Sequence, residues 1–173
     1  MLTNNSTLFF KEVEMVMDGE IIILAYKLQT PENIGSIIRL AGNIGARKVI
    51  FLNPGQTYKD FKIKRIAGRA HEIIDWQIVN SEDPHDFIPT DFELVALETY
   101  TKATNLHSTA LPRKMALLVG SENSGIPIEL LEKCSQVVYI GLNGPVQSMN
   151  VSQATSVAVF EWVRQYQSTK KRV

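Results

Sequence analysis

Apolar residues along the chain fall into two kinds of pattern. Five short unbroken runs, Ile21–Tyr26, Val49–Leu52, Leu94–Leu97, Met115–Val119 and Val137–Ile140, are rich in β-branched residues and too short for helices. They predict buried strands. Because the runs are continuous and not alternating, both faces of each strand need cover. That predicts an α/β fold, a mostly parallel sheet with helices on both faces. The second pattern recurs every three to four positions. From Pro31 to Gly45 the set Ile34, Ile37, Ile38, Ala41 and Ile44 marks one face of an amphipathic helix, with Pro31 suited to its first turn and Gly45 to its stop. From Val151 to Gln167 a final helix is apolar around most of its circumference, through Ala154, Val157, Ala158, Val159, Phe160, Trp162 and Val163. Such a helix needs cover on more than one side, from the rest of the monomer or from a second copy of the chain in a homodimer.

A length of 173 residues suits one domain, 1–173, with about residues 1–19 as an N-terminal extension. About residues 168–173 form a polar tail ending in Lys170, Lys171 and Arg172, which is expected to fray. Eighteen basic and eighteen acidic side chains cancel. A polybasic binder is thereby excluded, and a nucleic-acid partner must be held by a local patch. The single cysteine, Cys134, excludes an internal disulfide and a Cys-x-x-Cys pair. Met1 to Met15 lacks the pattern of a secretory signal, and no apolar stretch approaches the ~20 residues of a membrane span. The expected location is cytoplasmic, away from membranes. His71, His85 and His107 lie apart without ligand spacing, so no metal is expected.

Three segments that follow strands carry candidate chemistry. In the first, Pro31 to Arg39, backbone amides at a helix start could hold a phosphate beside Asn33, with Arg39 further up the helix; a turn residue and a solvated cation are the plainer reading. The second, Leu118 to Pro127, places Glu122 between Gly120 and Gly125 where ligands of open α/β sheets collect, although a simple strand-to-helix turn fits too. It matches neither the phosphate-loop lysine pattern nor Gly-x-Gly-x-x-Gly. The third, Ile140 to Ser152, is rich in turn formers and offers Ser148, Asn150 and Ser152 at the start of the final helix, where Ser148 or Asn150 could serve as its cap. Three such loops in one small domain point to one pocket. Separately, Lys59, Lys62, Lys64, Arg65 and Arg69 put five cations within eleven residues, opposed by Asp60 alone. They form either an RNA track or a solvated helix face. Tyr58 and Phe61 are the aromatics at hand for stacking, with Phe61 a candidate for the core.

In this order the segments resemble the SpoU, or TrmH-like, branch of the SPOUT RNA methyltransferases over about residues 20–165. The family pattern is an asparagine and, six residues later, an arginine; then Gly-x-Glu-x-x-Gly; then Ser-Leu-Asn-Val-Ser. Here stand Asn33 and Arg39, then Gly120, Glu122 and Gly125, then Ser148-Met149-Asn150-Val151-Ser152. Two departures occur: Ile140-Gly141-Leu142 replaces the frequent Ile-Pro-Met, and Met149 stands where leucine is commoner. The resemblance implies a C-terminal trefoil knot, S-adenosylmethionine as cofactor with no metal, and a homodimer in which Arg39 of one subunit reaches the methyl donor held by the other. It implies methyl transfer to a ribose 2′-hydroxyl, with Arg39, Asn33, Ser148, Asn150 and Glu122 as catalytic candidates. Gly120, Ser121, Glu122, Ile140, Leu142, Ser148 and Met149 are then the cofactor-binding candidates. Short length and Ser-Met-Asn favour tRNA, at its wobble position, over rRNA as substrate; a non-catalytic RNA-binding module on the same fold is the other alternative.

Overall fold

The computed structural model describes residues 11–171 together with Ser6 and Phe9, and of the side chains of Lys170 and Lys171 nothing is described. The elements are β1 (Val13–Met17), β2 (Glu20–Tyr26), α1 (Pro31–Ile44), β3 (Lys48–Leu52), α2 (Asp60–Ala67), α3 (Ala70–Ile73), β4 (Trp76–Val79), β5 (Glu93–Leu97), β6 (Thr104–Asn105), β7 (Lys114–Val119), α4 (Ile128–Leu131), β8 (Gln136–Tyr139), α5 (Val151–Tyr166) and β9 (Gln167–Lys171). Seven strands form one sheet in the order β4-β3-β2-β7-β5-β8-β6, and every neighbouring pair in it is parallel.

The five predicted strands form the middle of this sheet, shifted by at most about a residue or two, with Ile140 falling in the loop after β8. Their continuous apolar character is explained by two separate cores. Ile21, Ile23 and Ala25 face one way, onto α1, α2 and α5; Ile22, Leu24 and Tyr26 face the other way, onto α4 and the turn around Phe87. Each fully buried Ile or Leu contributes roughly 1.5–3 kcal/mol relative to exposure. Residues that alternate in direction must therefore all be apolar.

Helix α1 starts where predicted. Pro31 occupies its first turn, Thr30 Oγ1 accepts from the Asn33 N–H at 3.4 Å, and Gly45 closes it in the left-handed region at φ 67°. Gly35 lies under α2: a Cβ there would sit 2.8 Å from the Ile63 carbonyl oxygen and from the Ile66 Cβ. The lack of a side chain thus sets how closely α2 crosses α1. Helix α5 is covered mainly from within the monomer. Ala158, Val159, Trp162 and Val163 are buried and the Trp162 indole N–H donates to the Pro112 carbonyl at 3.0 Å, while Phe160 is left about half exposed.

The tail does not fray as expected. Residues Gln167–Lys171 pair antiparallel with Val13–Met17, so that part of the expected extension and part of the expected tail make a two-stranded ribbon. Arg172 and Val173, and residues 1–5, 7, 8 and 10, lie outside the described residues. The pairing joins segments far apart in sequence through backbone hydrogen bonds, and a polar, unburied strand leaves no apolar period to read.

Candidate active site

In an all-parallel sheet the carboxyl ends of the strands share one edge, and the connecting loops gather there. The loops after β5, β7 and β8, with the first turn of α5, enclose a cavity of about 460 Å³. Gly120, Ser121, Glu122, Ile140, Leu142, Ser148, Met149 and Asn150 all line it. Its apolar wall is built by Leu97, Val119, Ile140, Leu142 and Met149. The turn after β7 is narrow. Ser121 and Gly125 exchange backbone hydrogen bonds of 3.3 and 3.0 Å, and a Cβ on Gly120 would lie 2.5 Å from the Gly125 carbonyl carbon. Gly125 also has φ 63°, a conformation that strains other L residues.

Hydrogen bonds tie the three predicted segments together at one point. The Glu122 carboxylate accepts from the Asn33 Nδ2 amide at 2.7 Å, the Gln29 N–H at 2.8 Å and the Thr30 hydroxyl at 3.3 Å. Asn33 Oδ1 in turn accepts from the Asn150 Nδ2 amide at 3.0 Å. Asn150 Oδ1 caps α5 by accepting from the N–H groups of Ser152 and Gln153. Capping and site-building are thus the two ends of one side chain. Burial pushes the Glu122 carboxyl up, but donation from Asn33, from the Gln29 and Glu122 backbone and from Thr30 outweighs it and holds the group below the usual carboxylate range. Asn33 itself is buried, at 6% exposure, behind the cavity wall and not among its lining residues.

Glu98, which the sequence reading passed over, also lines the cavity. Its Oε2 accepts from the Ile126 N–H at 3.0 Å, and its Oε1 from the Thr99 N–H at 2.8 Å and the Thr99 hydroxyl at 3.2 Å. It stands directly after the buried run Leu94–Leu97, so the strand-end rule that singled out Glu122 would have found it. The lining contains two carboxylates, Glu98 and Glu122, and no Lys, Arg or His.

Arg39 lies elsewhere, exposed on α1, outside the cavity and without an ion pair or hydrogen bond from its side chain among the described residues. The basic run occupies α2 and its flanks. Here the structure corrects the sequence reading twice. Asp60 is not the sole opposing charge: it pairs with Lys64 at 2.6 Å, while Glu32 of α1 faces Lys62 at 3.8 Å. Phe61 is not core but 62% exposed, because the side of α2 that packs on α1 is carried by Ile63 and Ala67. Tyr58 is half-buried, its hydroxyl donating to the Leu28 carbonyl. Lys59 and Lys62 share a shallow depression with Gln29 and Pro31, so the basic run adjoins the segment that holds Glu122.

Among the described residues no group of His, Cys, Asp and Glu could hold a metal ion, and no helix is long and apolar enough to cross a membrane. Burial pushes the Cys134 thiol up to about 12, which leaves it inert as a nucleophile.

Known proteins share this architecture. A curated 23S rRNA (guanosine-2'-O-)-methyltransferase of Bordetella pertussis is 29% identical over 159 residues, covering 90% of this chain and 64% of its own length. The chain thus spans just under two thirds of that relative. A tRNA (cytidine(34)-2'-O)-methyltransferase of Yersinia pestis is 31% identical over 153 residues, 83% of this chain and 92% of its own. A solved structure concerning 2-OH methylation of C/U34 on tRNA superposes with a TM-score of 0.76 at 25% identity, covering 86% of this chain and 97% of that one. An AdoMet-bound rRNA methyltransferase from Sinorhizobium meliloti gives 0.74 at 25% identity, over 86% and 57%. The sequence pattern of the SpoU rRNA Methylase family matches residues 20–160, the stretch that builds the sheet, the cavity and the Glu122–Asn33–Asn150 junction, and the chain belongs to that family.

Proposed function

We propose that this protein is an S-adenosylmethionine-dependent RNA methyltransferase acting on a ribose 2′-hydroxyl, with tRNA favoured over rRNA as substrate and the cytoplasm as its place of action. The observation that carries the reading is the convergence of Asn33, Glu122 and Asn150 in one hydrogen-bonded junction beside a cavity of about 460 Å³. The cavity suits the cofactor. Its volume is in the range of small-molecule sites, its apolar wall is matched to an adenine ring, and its carboxylates without a facing cation are matched to a ligand carrying a sulfonium and an ammonium. When bound, S-adenosylmethionine supplies an electrophilic methyl group, so the protein need only align, accept a proton and stabilise charge.

The residues divide this work. Backbone groups at Gly120, Ser121, Ile140 and Leu142, with the Met149 side chain, hold the adenosine. Glu122 fixes the loop by which Gln29, Thr30 and Asn33 meet it. Ser148 and Asn150, each able to donate and accept, orient the nucleotide at the mouth. Arg39, a donor with no acceptor lone pair, binds the adjacent phosphate and stabilises developing negative charge, while that phosphate or solvent takes the hydroxyl proton. Because Arg39 lies outside its own chain's cavity, it reaches the donor of a second copy, which makes the working unit a homodimer. Lys59, Lys62, Lys64, Arg65 and Arg69 draw the RNA backbone toward the same edge. The trefoil knot belongs to this reading. Strand β8 lies between β5 and β6, which precede it in the chain, and that insertion supports a threaded C-terminus.

Incubating the purified protein with labelled S-adenosylmethionine and total tRNA, and in parallel rRNA, from cells lacking its gene, followed by nucleoside mapping, should place label on one 2′-O-methylated nucleoside of tRNA. Absence of label on tRNA and on rRNA, with cofactor bound, would overturn the enzyme reading.

A further inference from the structure

We infer that Glu98 makes the cavity discriminate a sulfonium from a thioether, so that the charged methyl donor is held more tightly than the neutral product of its transfer; this rests on the cavity being the S-adenosylmethionine site. Methyl transfer breaks a C–S bond and forms a C–O bond. The sulfur keeps the bonding electron pair, and the hydroxyl proton leaves to the neighbouring phosphate or to solvent. The cofactor thereby loses one methyl group and, with it, one unit of positive charge. A negative group fixed in the wall responds to the charge, in the sulfonium and in any other ligand that carries a cation at that place.

The structure places such a feature. The donors that Glu98 accepts from are the N–H groups of Ile126 and Thr99 and the Thr99 hydroxyl, all neutral, so its negative charge is not cancelled by any of them. No Lys, Arg or His lines the cavity, so no fixed positive charge of the wall stands against it. The carboxylate is also fixed. Three hydrogen bonds hold it, and the turn at Gly125 closes directly over it, where a Cβ would lie 2.4 Å from Oε2. Glu122 adds to the same negative potential but is committed to the Asn33–Asn150 junction, so its removal would disturb the loops themselves. Glu98 is therefore the residue at which charge can be removed with the junction intact.

The test is calorimetric and needs no turnover. Wild-type protein is titrated with S-adenosylmethionine, with S-adenosylhomocysteine, and with sinefungin, in which an amine-bearing carbon replaces the methylated sulfonium and restores a positive charge. Both charged ligands should bind about tenfold tighter than S-adenosylhomocysteine, the ratio that ~1.4 kcal/mol provides. In Glu98→Gln that preference should shrink to about twofold or less, with S-adenosylhomocysteine affinity changed by no more than about twofold. Equal weakening of all three ligands would mean that Glu98 only props the Gly125 turn and would overturn the inference, with the proposed function still standing. Should Glu98→Gln fail to fold, the wild-type ratios decide: S-adenosylhomocysteine bound as tightly as the two charged ligands overturns it. Wild-type protein that binds none of the three would remove the proposed function, and the inference with it.

Discussion

The cavity edge and the outer face of α1 and α2 are built in opposite ways. At the edge, Glu122, Asn33 and Asn150 satisfy one another, and Glu98 is held by three neutral donors. On the outer face, the side chains of Arg39, Lys59, Arg65 and Arg69 have no partner among the described residues, and Phe61 is mostly exposed. One region is completed within the chain and the other waits for something outside it. A small ligand rewards groups fixed beforehand. A long flexible polyanion is gathered by mobile, solvated cations whose pull depends on salt. On the proposed function, the difference separates cofactor binding from RNA binding by how their residues are held.

Removing Arg39 tests the boundary most severely. Arg39→Ala should lower single-turnover methylation about 10²–10³-fold, the usual cost of deleting a charge-stabilising donor, while calorimetry shows nearly unchanged cofactor affinity. Unimpaired turnover would place the chemistry wholly at the edge. Next in size is the junction. Glu122→Ala leaves the Asn33 amide and the Gln29 N–H without their acceptor, and urea unfolding should report a loss of about 1–3 kcal/mol. An unchanged midpoint would mean that the junction is not what holds the edge together. On the outer face, replacing Lys59, Arg65 and Arg69 together by Ala should flatten the plot of log RNA affinity against log salt by about two units. The same change at Lys62 and Lys64, already paired with Glu32 and Asp60, should flatten it less per cation removed. An equal response per cation from both sets would erase the distinction between paired and waiting cations.

Acid tests the held groups of α5. Hydrogen bonding from Arg164, against burial and with help from Gln165 and His107, lowers the Glu161 carboxyl from 4.5 to about 2. A lowered folded value means that the stabilisation is present above 4.5 and is lost as pH falls toward about 2. The melting-temperature advantage of wild type over Glu161→Gln should accordingly shrink across that window, and a constant gap would count against the ion-pair origin. The smallest effect on stability belongs to Phe61→Ala. Melting should move by no more than about 0.5 kcal/mol equivalent, yet RNA affinity should fall measurably if the ring stacks on a base.

What the sequence made legible follows the physics of burial. Continuous β-branched runs must lie between two covered faces, and they gave the central strands; capping chemistry placed α1 within a residue. The three loops were legible because strand ends in parallel sheets share an edge. Edge strands β4 and β6 escaped because a strand covered on one side or only two residues long carries little apolar signal. Phe61 was misplaced because Ile63 and Ala67 take the packed side of α2, which local spacing could not rank. Glu32 was missed as a partner of Lys62 because the two meet only once α2 is laid across Gly35.

The position of β8 between two earlier strands has a consequence in time. Strand β6 pairs with β8 alone, so Thr104 and Asn105 have no ladder to join until residues 136–139 have been made and inserted. During synthesis the gap beside β5 must stay open while β7 is laid down on its other side. The cavity walls contributed by the loop after β8 therefore form last, and a chain halted before that insertion has β4-β3-β2-β7-β5 in place but not the cavity.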